Sequence, residues 1–208
     1  MNICIFASGT GSNFQAILNA KSKREIKSRI CLLITNNSKC GAVEIAKNYS
    51  VDVVHISRKL YPDLDPVQYS NLFISALKKY EIDLIVLAGY MKKIGKEVVQ
   101  EYYNRIINIH PALLPSFGGE NMFGLNVHRA VIESGVKVSG LTIHFVNQDY
   151  DQGKIIFQKC VEVSDDDDAF SLQKKILIYE HESYPEVIKR IEKGLIKIGG
   201  KNEQNCTN

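Results

Sequence analysis

The chain has 208 residues, of which 45% are hydrophobic and 24% are charged, and its net charge is +3. This composition is typical of a globular protein that buries a core of its own, which excludes a disordered or fibrous chain. The positive excess is small and dispersed, so we expect no nucleic-acid partner, whereas an anionic small substrate fits it.

The five cysteines are odd in number, and no two have C-x-x-C spacing. We therefore expect neither a disulfide framework nor a metal site. Cys4, Cys31 and Cys160 lie inside apolar runs, which predicts buried thiols of a reducing compartment. The first residues indicate a strand and not a signal peptide, and no apolar run has transmembrane length. These features predict a cytoplasmic protein without a membrane partner.

The first half of the chain alternates short apolar runs with amphipathic segments. The apolar runs predict strands at Asn2–Ala7, Arg29–Thr35, Val51–Ile56, Leu84–Ala88 and Arg105–Ile109. The segments between them predict helices at Asn13–Lys21, Gly41–Tyr49, Pro66–Lys79 and Lys96–Tyr103. This order predicts an α/β fold with a doubly wound, mostly parallel sheet and a Rossmann-like N-terminal half. Ligands of such folds bind beyond the carboxyl ends of the strands.

The second half of the chain has a different pattern. A glycine-containing loop at 111–126 and a helix at Val127–Ser134 precede two strand-like runs, Val138–Val146 and Ile155–Val163, which predict an antiparallel pair. Asp165–Asp168 then leads into a long C-terminal helix that ends near Lys193. We predict one domain over residues 1–198, made of halves 1–110 and 111–198, and a disordered tail at 199–208.

A glycine-rich turn, Ser8–Asn13 (S-G-T-G-S-N), follows the first strand and begins the first helix. Glycines allow a close approach of the backbone, and the N–H groups at a helix start favour a phosphate. The turn lacks the G-x-G-x-x-G and G-K-[ST] patterns, so neither a dinucleotide nor a triphosphate is implied. We predict a monophosphate site; the alternative is a plain strand-to-helix turn with good N-caps.

Asn108 and His110 end the fifth strand and lie two residues apart, so they point to the same side. An amide donor and an imidazole can therefore converge on one oxygen atom. Pro111 and Pro115 stiffen the chain that follows, and we predict a cis bond at Leu114–Pro115. The alternative is a structural histidine beside a loop asparagine.

A third motif runs from His144 to Gly153 and contains Asp149 and Asp151 in an acidic turn. A carboxylate beside an imidazole favours the charged imidazole and raises its pKa. Nothing local decides whether Asp149 or Asp151 reaches His110. The alternative is a solvated turn with Asx-type hydrogen bonds.

Together, Ser8–Asn13, Asn108–Pro115 and Asp151–Gly153 closely resemble the phosphoribosylglycinamide formyltransferase family, from Met1 to about Arg190. The N-I-H-P-x-L-L-P pattern is common to folate-dependent formyltransferases, and S-G-x-G-S-N separates this family from the methionyl-tRNA enzymes. The resemblance implies transfer of a formyl group from 10-formyltetrahydrofolate to glycinamide ribonucleotide in purine biosynthesis. It also implies a metal-free enzyme that is a monomer or homodimer.

Matched by position, the resemblance assigns roles to three sets of residues. Gly11, Ser12 and Asn13 are expected to bind the nucleotide phosphate, and Glu180 is expected to contact the same nucleotide. The pocket for the folate is expected to be lined by Met91, Lys92, Lys93 and Ile94, with a loop from Asn147 to Asp151 framing the pterin. The expected catalytic residues are Asn108, His110 and Asp151. In this interpretation, Asn108 and a protonated His110 stabilise an oxyanion, while Asp151 orients His110.

Two departures from the family concern the folate tail. Lys92 stands where the family usually has arginine, and an arginine of the third crossover is replaced near Pro66. Three rival functions stay open: formyl transfer to another amine, formate release by hydrolysis, and a silent nucleotide-binding module. A further hypothesis is that the 117–126 loop closes over the nucleotide.

Overall fold

The computed structural model describes residues 1–200. The strands are β1 (Asn2–Phe6), β2 (Arg29–Thr35), β3 (Asp52–His55), β4 (Leu84–Leu87), β5 (Ile106–His110), β6 (Val138–Phe145) and β7 (Ile155–Glu162). The helices are α1 (Ser12–Ser22), α2 (Gly41–Asn48), α3 (Pro66–Lys79), α4 (Lys96–Glu101), α5 (Leu125–Ser134) and α6 (Ala169–Glu192). Each element expected from the sequence is present, with ends that differ by one or two residues.

All seven strands form one sheet in the order β3-β2-β1-β4-β5-β6-β7. Strands β1 to β5 are parallel, and β6 and β7 add to the β5 edge as an antiparallel pair. The predicted fold is therefore confirmed. The chain winds outward from β1 in one direction and from β4 in the other, so the crevice between the carboxyl ends of these two strands is where this topology places a ligand.

The alternation of side chains along the central strands explains why helices cover both faces of the sheet. Ile3 and Ile5 of β1 point into a core that also contains Tyr184 of α6. Cys4 and Phe6 of the same strand point into a second core on the opposite face. A strand buried on both faces reads as a continuous apolar run, which is the pattern seen in the sequence.

Two of the helices begin at capping boxes. Asp65 accepts a hydrogen bond from the Gln68 backbone N–H at the start of α3, and Asp168 does the same for Ser171 at the start of α6. The Asp165–Asp168 cluster therefore ends in a helix cap, as expected for carboxylates near the positive end of a helix dipole.

The structure also tests several smaller predictions. The Leu114–Pro115 bond is cis, as predicted. The prediction that Cys160 is buried is wrong, because Cys160 lies exposed on the edge strand β7. At the start of the predicted disordered tail, the Gly199 N–H donates to Asn104 O at 3.1 Å, and residues 201–208 lie outside the described part of the chain. Within residues 1–200, no helix combines the length and apolarity needed to cross a bilayer.

Candidate active site

The pairing of β5 with β6 places Asn108 opposite His144 and His110 opposite Thr142. Because residues two apart share a face, the side chains of Asn108 and His110 lie on one side of the sheet, and His144 joins them. Asn108 Nδ2 lies 3.3 Å from His144 Nε2. Both histidines are buried, with exposed fractions of 3% for His110 and 2% for His144.

The carboxylate of Asp151 lies between the two histidines. Its Oδ2 is 3.5 Å from His110 Nδ1, and its Oδ1 is 3.6 Å from His144 Nε2. Asp149 lies in the same turn but is exposed, and its backbone N–H donates to Asn147 Oδ1. The alternative left open by the sequence is thereby resolved, since it is Asp151 that reaches His110.

The loop after β5 contacts the same histidine and the same carboxylate. His110 Nε2 donates a hydrogen bond to Phe117 O at 2.8 Å, since a carbonyl oxygen can only accept. The Gly119 N–H donates to Asp151 Oδ2 at 3.0 Å. In a neutral His110 the proton therefore sits on Nε2, and Nδ1 is the acceptor that faces Asp151.

The burial of His110 overturns one electrostatic expectation. Burial lowers the pKa of His110 and outweighs the opposite effect of the Asp151 carboxylate, so the net pKa lies below that of a free histidine. The expectation that the neighbouring carboxylate raises the pKa of His110 is wrong for this reason. For Asp151, burial acts to raise the pKa, but the contacts with His144, His110 and the Gly119 N–H together lower it. At neutral pH the site thus holds a carboxylate beside a neutral imidazole.

A small cavity of about 90 Å³ opens onto Asn108, His144 and Asp151. Five of the residues expected to bind folate line it, namely Lys92, Lys93, Ile94, Asn147 and Asp151. Its walls are mixed, with apolar Leu87 and Val146 beside polar and charged groups. Such a pocket suits a flat heterocycle that needs both apolar contact and a few oriented hydrogen bonds.

A larger groove of about 750 Å³ shares Tyr90, Lys92, Lys93 and Ile94 with the small cavity. Apolar side chains such as Phe73 lie in the groove, and further cations border it at Lys39, Arg58, Lys59 and Lys96. The Arg58 guanidinium lies 3.9 Å from the centre of the Tyr69 ring, and its Nη1 donates to Leu64 O. Sequence reasoning missed these four cations, because exposed lysines and arginines in separate loops carry no local pattern.

The glycine-rich turn lies at the carboxyl end of β1. Gly11 has φ +81°, and a Cβ there would approach Ala42 Cα to 2.9 Å, so only glycine fits. Asn13 Nδ2 donates to Glu180 Oε2 at 2.7 Å, which joins two residues expected at the nucleotide. Burial raises the pKa of Glu180 against the opposing effect of this amide. Asn13 Oδ1 is buried without a partner among the described residues.

Met91 is the one expected folate contact that does not line the small cavity. Its side chain is 48% exposed, and its backbone N–H donates to Ser8 Oγ at 3.2 Å. This bond ties the segment after β4 to the glycine-rich turn after β1.

The C-terminal helix is anchored to the two strands that border the site. On the face of the sheet that α6 covers, the Tyr184 hydroxyl lies 2.8 Å from Leu87 O of β4 and 3.2 Å from Ile107 O of β5.

Two buried histidines received no role from the sequence. His144 appeared in a motif, but only the strand register shows that it meets Asn108 and Asp151. His128 of α5 is 2% exposed, and burial, together with nearby His110, lowers its pKa to about 4. Across residues 1–200, no group of three or more histidine, cysteine, aspartate or glutamate side chains could hold a metal ion.

Comparison with known proteins identifies the family. A family model described as formyl transferase matches residues 1–188. The chain is 42% identical to the chloroplastic phosphoribosylglycinamide formyltransferase of Arabidopsis thaliana over 94% of its length, and it spans 66% of that relative. It is 35% identical to the phosphoribosylglycinamide formyltransferase of Bacillus subtilis (strain 168), with 90% of this chain and 92% of the relative covered.

A solved structure agrees with the sequence comparisons. The glycinamide ribonucleotide transformylase 1 of Symbiobacterium toebii superimposes with a TM-score of 0.87 at 36% identity, over 97% of this chain and 92% of that one. The chain therefore belongs to the formyl transferase family and, within it, to the phosphoribosylglycinamide formyltransferases. The family predicted from the three motifs is confirmed.

Proposed function

We propose that this chain transfers the formyl group of 10-formyltetrahydrofolate to the amine of 5-phosphoribosylglycinamide, a step of purine biosynthesis that draws on one-carbon metabolism. The observation that carries the proposal is the convergence of Asn108, His110 and Asp151 beside the small cavity. The names of the relatives support the choice of substrates. The sheet topology also supports the proposal, because the catalytic residues and the small cavity lie at the carboxyl edge of β1, β4 and β5, where ligands of this fold bind.

The nucleotide is placed by groups on α1 and α6. The helix start at Gly11, Ser12 and Asn13 offers backbone N–H groups to the phosphate, with the helix dipole adding to the attraction. Asn13 and Glu180 are already joined, and the free acceptor Asn13 Oδ1 suits a hydroxyl or amide donor of the ligand. Glu180 has a raised pKa, so it serves as a hydrogen-bonding group for the sugar.

The folate is placed by the small cavity and the groove that continues from it. The pterin fits against Ile94 and Asn147, close to Asn108 and Asp151. The groove beyond Lys92 and Lys93 takes the benzoyl-glutamate tail on its apolar floor, and its cations face the tail carboxylates. Arg58 supplies a guanidinium to this groove, which offsets the loss of the crossover arginine near Pro66.

The chemistry begins when the substrate amine attacks the formyl carbon. The carbonyl oxygen becomes an oxyanion, and donors aimed at it stabilise the transition state more than the ground state. One N–H of the Asn108 amide faces His144, which leaves the other for this oxygen. Holding both substrates at attack distance contributes separately to the rate.

The reaction then needs a proton to move from the attacking amine to the folate nitrogen that leaves. His110 is neutral and presents Nδ1 beside Asp151, so it accepts the proton there and becomes an imidazolium next to a carboxylate. The same proton passes to N10 of the folate as the carbon–N10 bond breaks. Formylated nucleotide and tetrahydrofolate are the products.

The proposal also includes the compartment and the oligomeric state. Both remain as predicted from the sequence, a cytoplasmic protein that is a monomer or homodimer, although the Arabidopsis relative is chloroplastic. From the sequence we expect the nucleotide phosphate in residues 1–110 and the folate and the catalytic loop in residues 111–198. In the proposed arrangement both halves take part in both sites, because residues between 36 and 98 line the groove for the folate tail, whereas Asp151 and Glu180 lie in the second half.

A spectroscopic assay tests the proposed function. Tetrahydrofolate formation from 10-formyltetrahydrofolate is followed with and without glycinamide ribonucleotide, using Asn108→Ala as a matched inactive preparation. We expect turnover that depends on the nucleotide and falls about 100- to 1000-fold in the variant. Turnover without nucleotide would indicate a hydrolase, and turnover with a different amine only would indicate another transferase. No turnover under any condition would indicate a binding module.

A further inference from the structure

The short segment Phe117–Gly119, which we call the 117–119 segment, makes backbone contacts to both members of the His110–Asp151 pair. Its carbonyl at Phe117 accepts from His110 Nε2 at 2.8 Å, and its N–H at Gly119 donates to Asp151 Oδ2 at 3.0 Å. The two ring and carboxylate atoms that face each other, His110 Nδ1 and Asp151 Oδ2, are 3.5 Å apart. One short peptide segment therefore contacts both partners.

The Phe117 carbonyl determines which nitrogen of His110 handles the proton. A neutral imidazole carries one N–H, and its position follows the hydrogen bond that the ring makes. Because Phe117 O can only accept, the proton sits on Nε2 and the lone pair sits on Nδ1, toward Asp151. Without this carbonyl, the ring could flip or change tautomer and present Nε2 to the pair instead.

The Gly119 N–H orients the Asp151 carboxylate, as the Phe117 carbonyl orients the His110 ring. It occupies Oδ2, the oxygen that faces His110, and so fixes the direction from which this oxygen meets the imidazole. Gly119 has φ +105°, and a Cβ built there has nothing within 4 Å. The backbone conformation, and not a lack of space, is what requires glycine at this position.

We propose that the 117–119 segment positions the His110–Asp151 pair for proton transfer, and that Gly119 is the positioning residue on which this geometry depends. The inference rests on the proposed function of the pair. Gly119 has no side chain and touches the reaction only through Asp151, so a search for catalytic side chains passes over it.

The first test is a substitution series at Gly119 with a matched control. Gly119→Ala keeps the N–H but strains the backbone, Gly119→Asn strains it less because asparagine is enriched at positive φ, and Gly119→Pro removes the N–H. The control is Gly135→Ala at the end of α5, a glycine with φ +71° that also has nothing within 4 Å of its Cβ. Both alanine variants thus carry backbone strain without a steric clash.

We expect kcat to fall about 10- to 100-fold in Gly119→Ala, less in Gly119→Asn and more in Gly119→Pro, because misplacement of a catalytic group by about 1 Å costs about 100-fold. The KM of each substrate should stay within about twofold, since the segment acts on proton transfer and not on binding. Gly135→Ala should lower Tm but keep kcat within about twofold of the wild type. A wild-type kcat in Gly119→Pro, or a change confined to KM, would overturn the proposal.

A second measurement does not depend on turnover. Nitrogen NMR of ¹⁵N-histidine-labelled protein reports the tautomer of His110, which we expect to be the Nε2-protonated form in the wild type and in Gly135→Ala. Gly119→Ala should show a mixture of both tautomers, because the carbonyl is no longer held against the ring. An unchanged tautomer in folded Gly119→Ala and Gly119→Pro would contradict the inference. If the wild type shows the expected tautomer but no formyl transfer, the proposed function fails and the positioning geometry stands.

Discussion

Two carboxylates flank the site, the partly buried Asp151 and the buried Glu180, and their pKa values shift in opposite directions. Asp151 meets two imidazoles and a backbone N–H, and these contacts lower its pKa despite burial. Glu180 accepts a hydrogen bond from the Asn13 amide, but burial outweighs this contact and raises its pKa. Burial alone therefore does not fix the charge of a carboxyl group, and its neighbours decide whether it stays an anion.

This difference suits the two carboxylates to different roles in one crevice, proton transfer for Asp151 and ligand binding for Glu180. An ionised Asp151 beside a neutral imidazole is suited to receiving and stabilising a moving proton. Glu180, whose pKa is raised by burial and which already accepts a hydrogen bond from Asn13, suits hydrogen bonding to a ligand. Substitutions on the Asp151 side should therefore change kcat, and those on the Glu180 side should change KM.

The largest expected effect comes from Asp151→Asn. The amide cannot stabilise the imidazolium that forms on His110, so we expect kcat to fall about 100- to 10,000-fold with KM values within about threefold. Steady-state kinetics at saturating nucleotide and folate measure it. Asp166→Asn, an exposed aspartate before α6, is the control and should match the wild type. A kcat within about threefold of the wild type would remove Asp151 from the mechanism.

Glu180→Gln should sharpen the contrast. Glutamine keeps the shape and the hydrogen bond to Asn13, so we expect the nucleotide KM to rise about three- to tenfold while kcat changes by less than about threefold. The exposed neighbour Glu182 provides the control variant Glu182→Gln. If kcat fell instead and KM held, Glu180 would belong with Asp151 in the chemistry and the division between them would be lost.

Arg58→Ala tests the groove that continues from the small cavity. Removing the guanidinium stacked on Tyr69 should raise the folate KM about two- to fivefold, since one exposed charge contact is worth about 1 kcal/mol or less. The nucleotide KM and kcat should be unchanged. Arg29→Ala, at the exposed amino end of β2, provides the comparison. An unchanged folate KM, measured with the glutamylated co-substrate, would exclude the groove as the tail site.

The smallest effect concerns stability and pH. The pKa of His128 is about 4 in the folded chain and about 6.5 when unfolded, so the unfolded state binds more protons between these values. Stability is then full above about pH 6.5 and falls as the pH drops, with about 2 kcal/mol lost by about pH 5. His128→Gln should shrink this loss in urea melts, leaving the contributions of His110 and His181, whose pKa values burial also lowers. An equal loss in wild type and variant would show that His128 does not contribute to the acid sensitivity.

The sequence predicted the fold and the family well, because both depend on local patterns. Alternating apolar runs marked the strands, and Ser8–Asn13 and Asn108–Pro115 are contiguous motifs. The residues by themselves did not decide between Asp149 and Asp151, and only the resemblance to the family favoured Asp151. The contact of His144 with Asp151 was not predictable, because it depends on strand register and on a turn. The sign of the His110 pKa shift was also missed, since it depends on how deeply the folded chain buries the ring.

The backbone contacts were beyond the reach of residue patterns for a further reason. Phe117 and Gly119 act through a carbonyl and an N–H, which every residue but proline possesses. Arg58, distant in sequence from the catalytic motifs, reaches the larger groove only after β3 and α3 are placed. Residues that act through their backbone, or that lie far from the motifs in sequence, can be identified only from the folded structure.

The most direct test follows the reacting carbon itself. The protein is given 10-formyltetrahydrofolate labelled with ¹³C in the formyl group, together with glycinamide ribonucleotide, and the products are separated and read by carbon NMR. We predict that the label appears in an amide bond on the nucleotide amine, at a rate that Asp151→Asn lowers in parallel with kcat. Label recovered as free formate, or retained on the folate while the nucleotide is present, would contradict direct formyl transfer at this site.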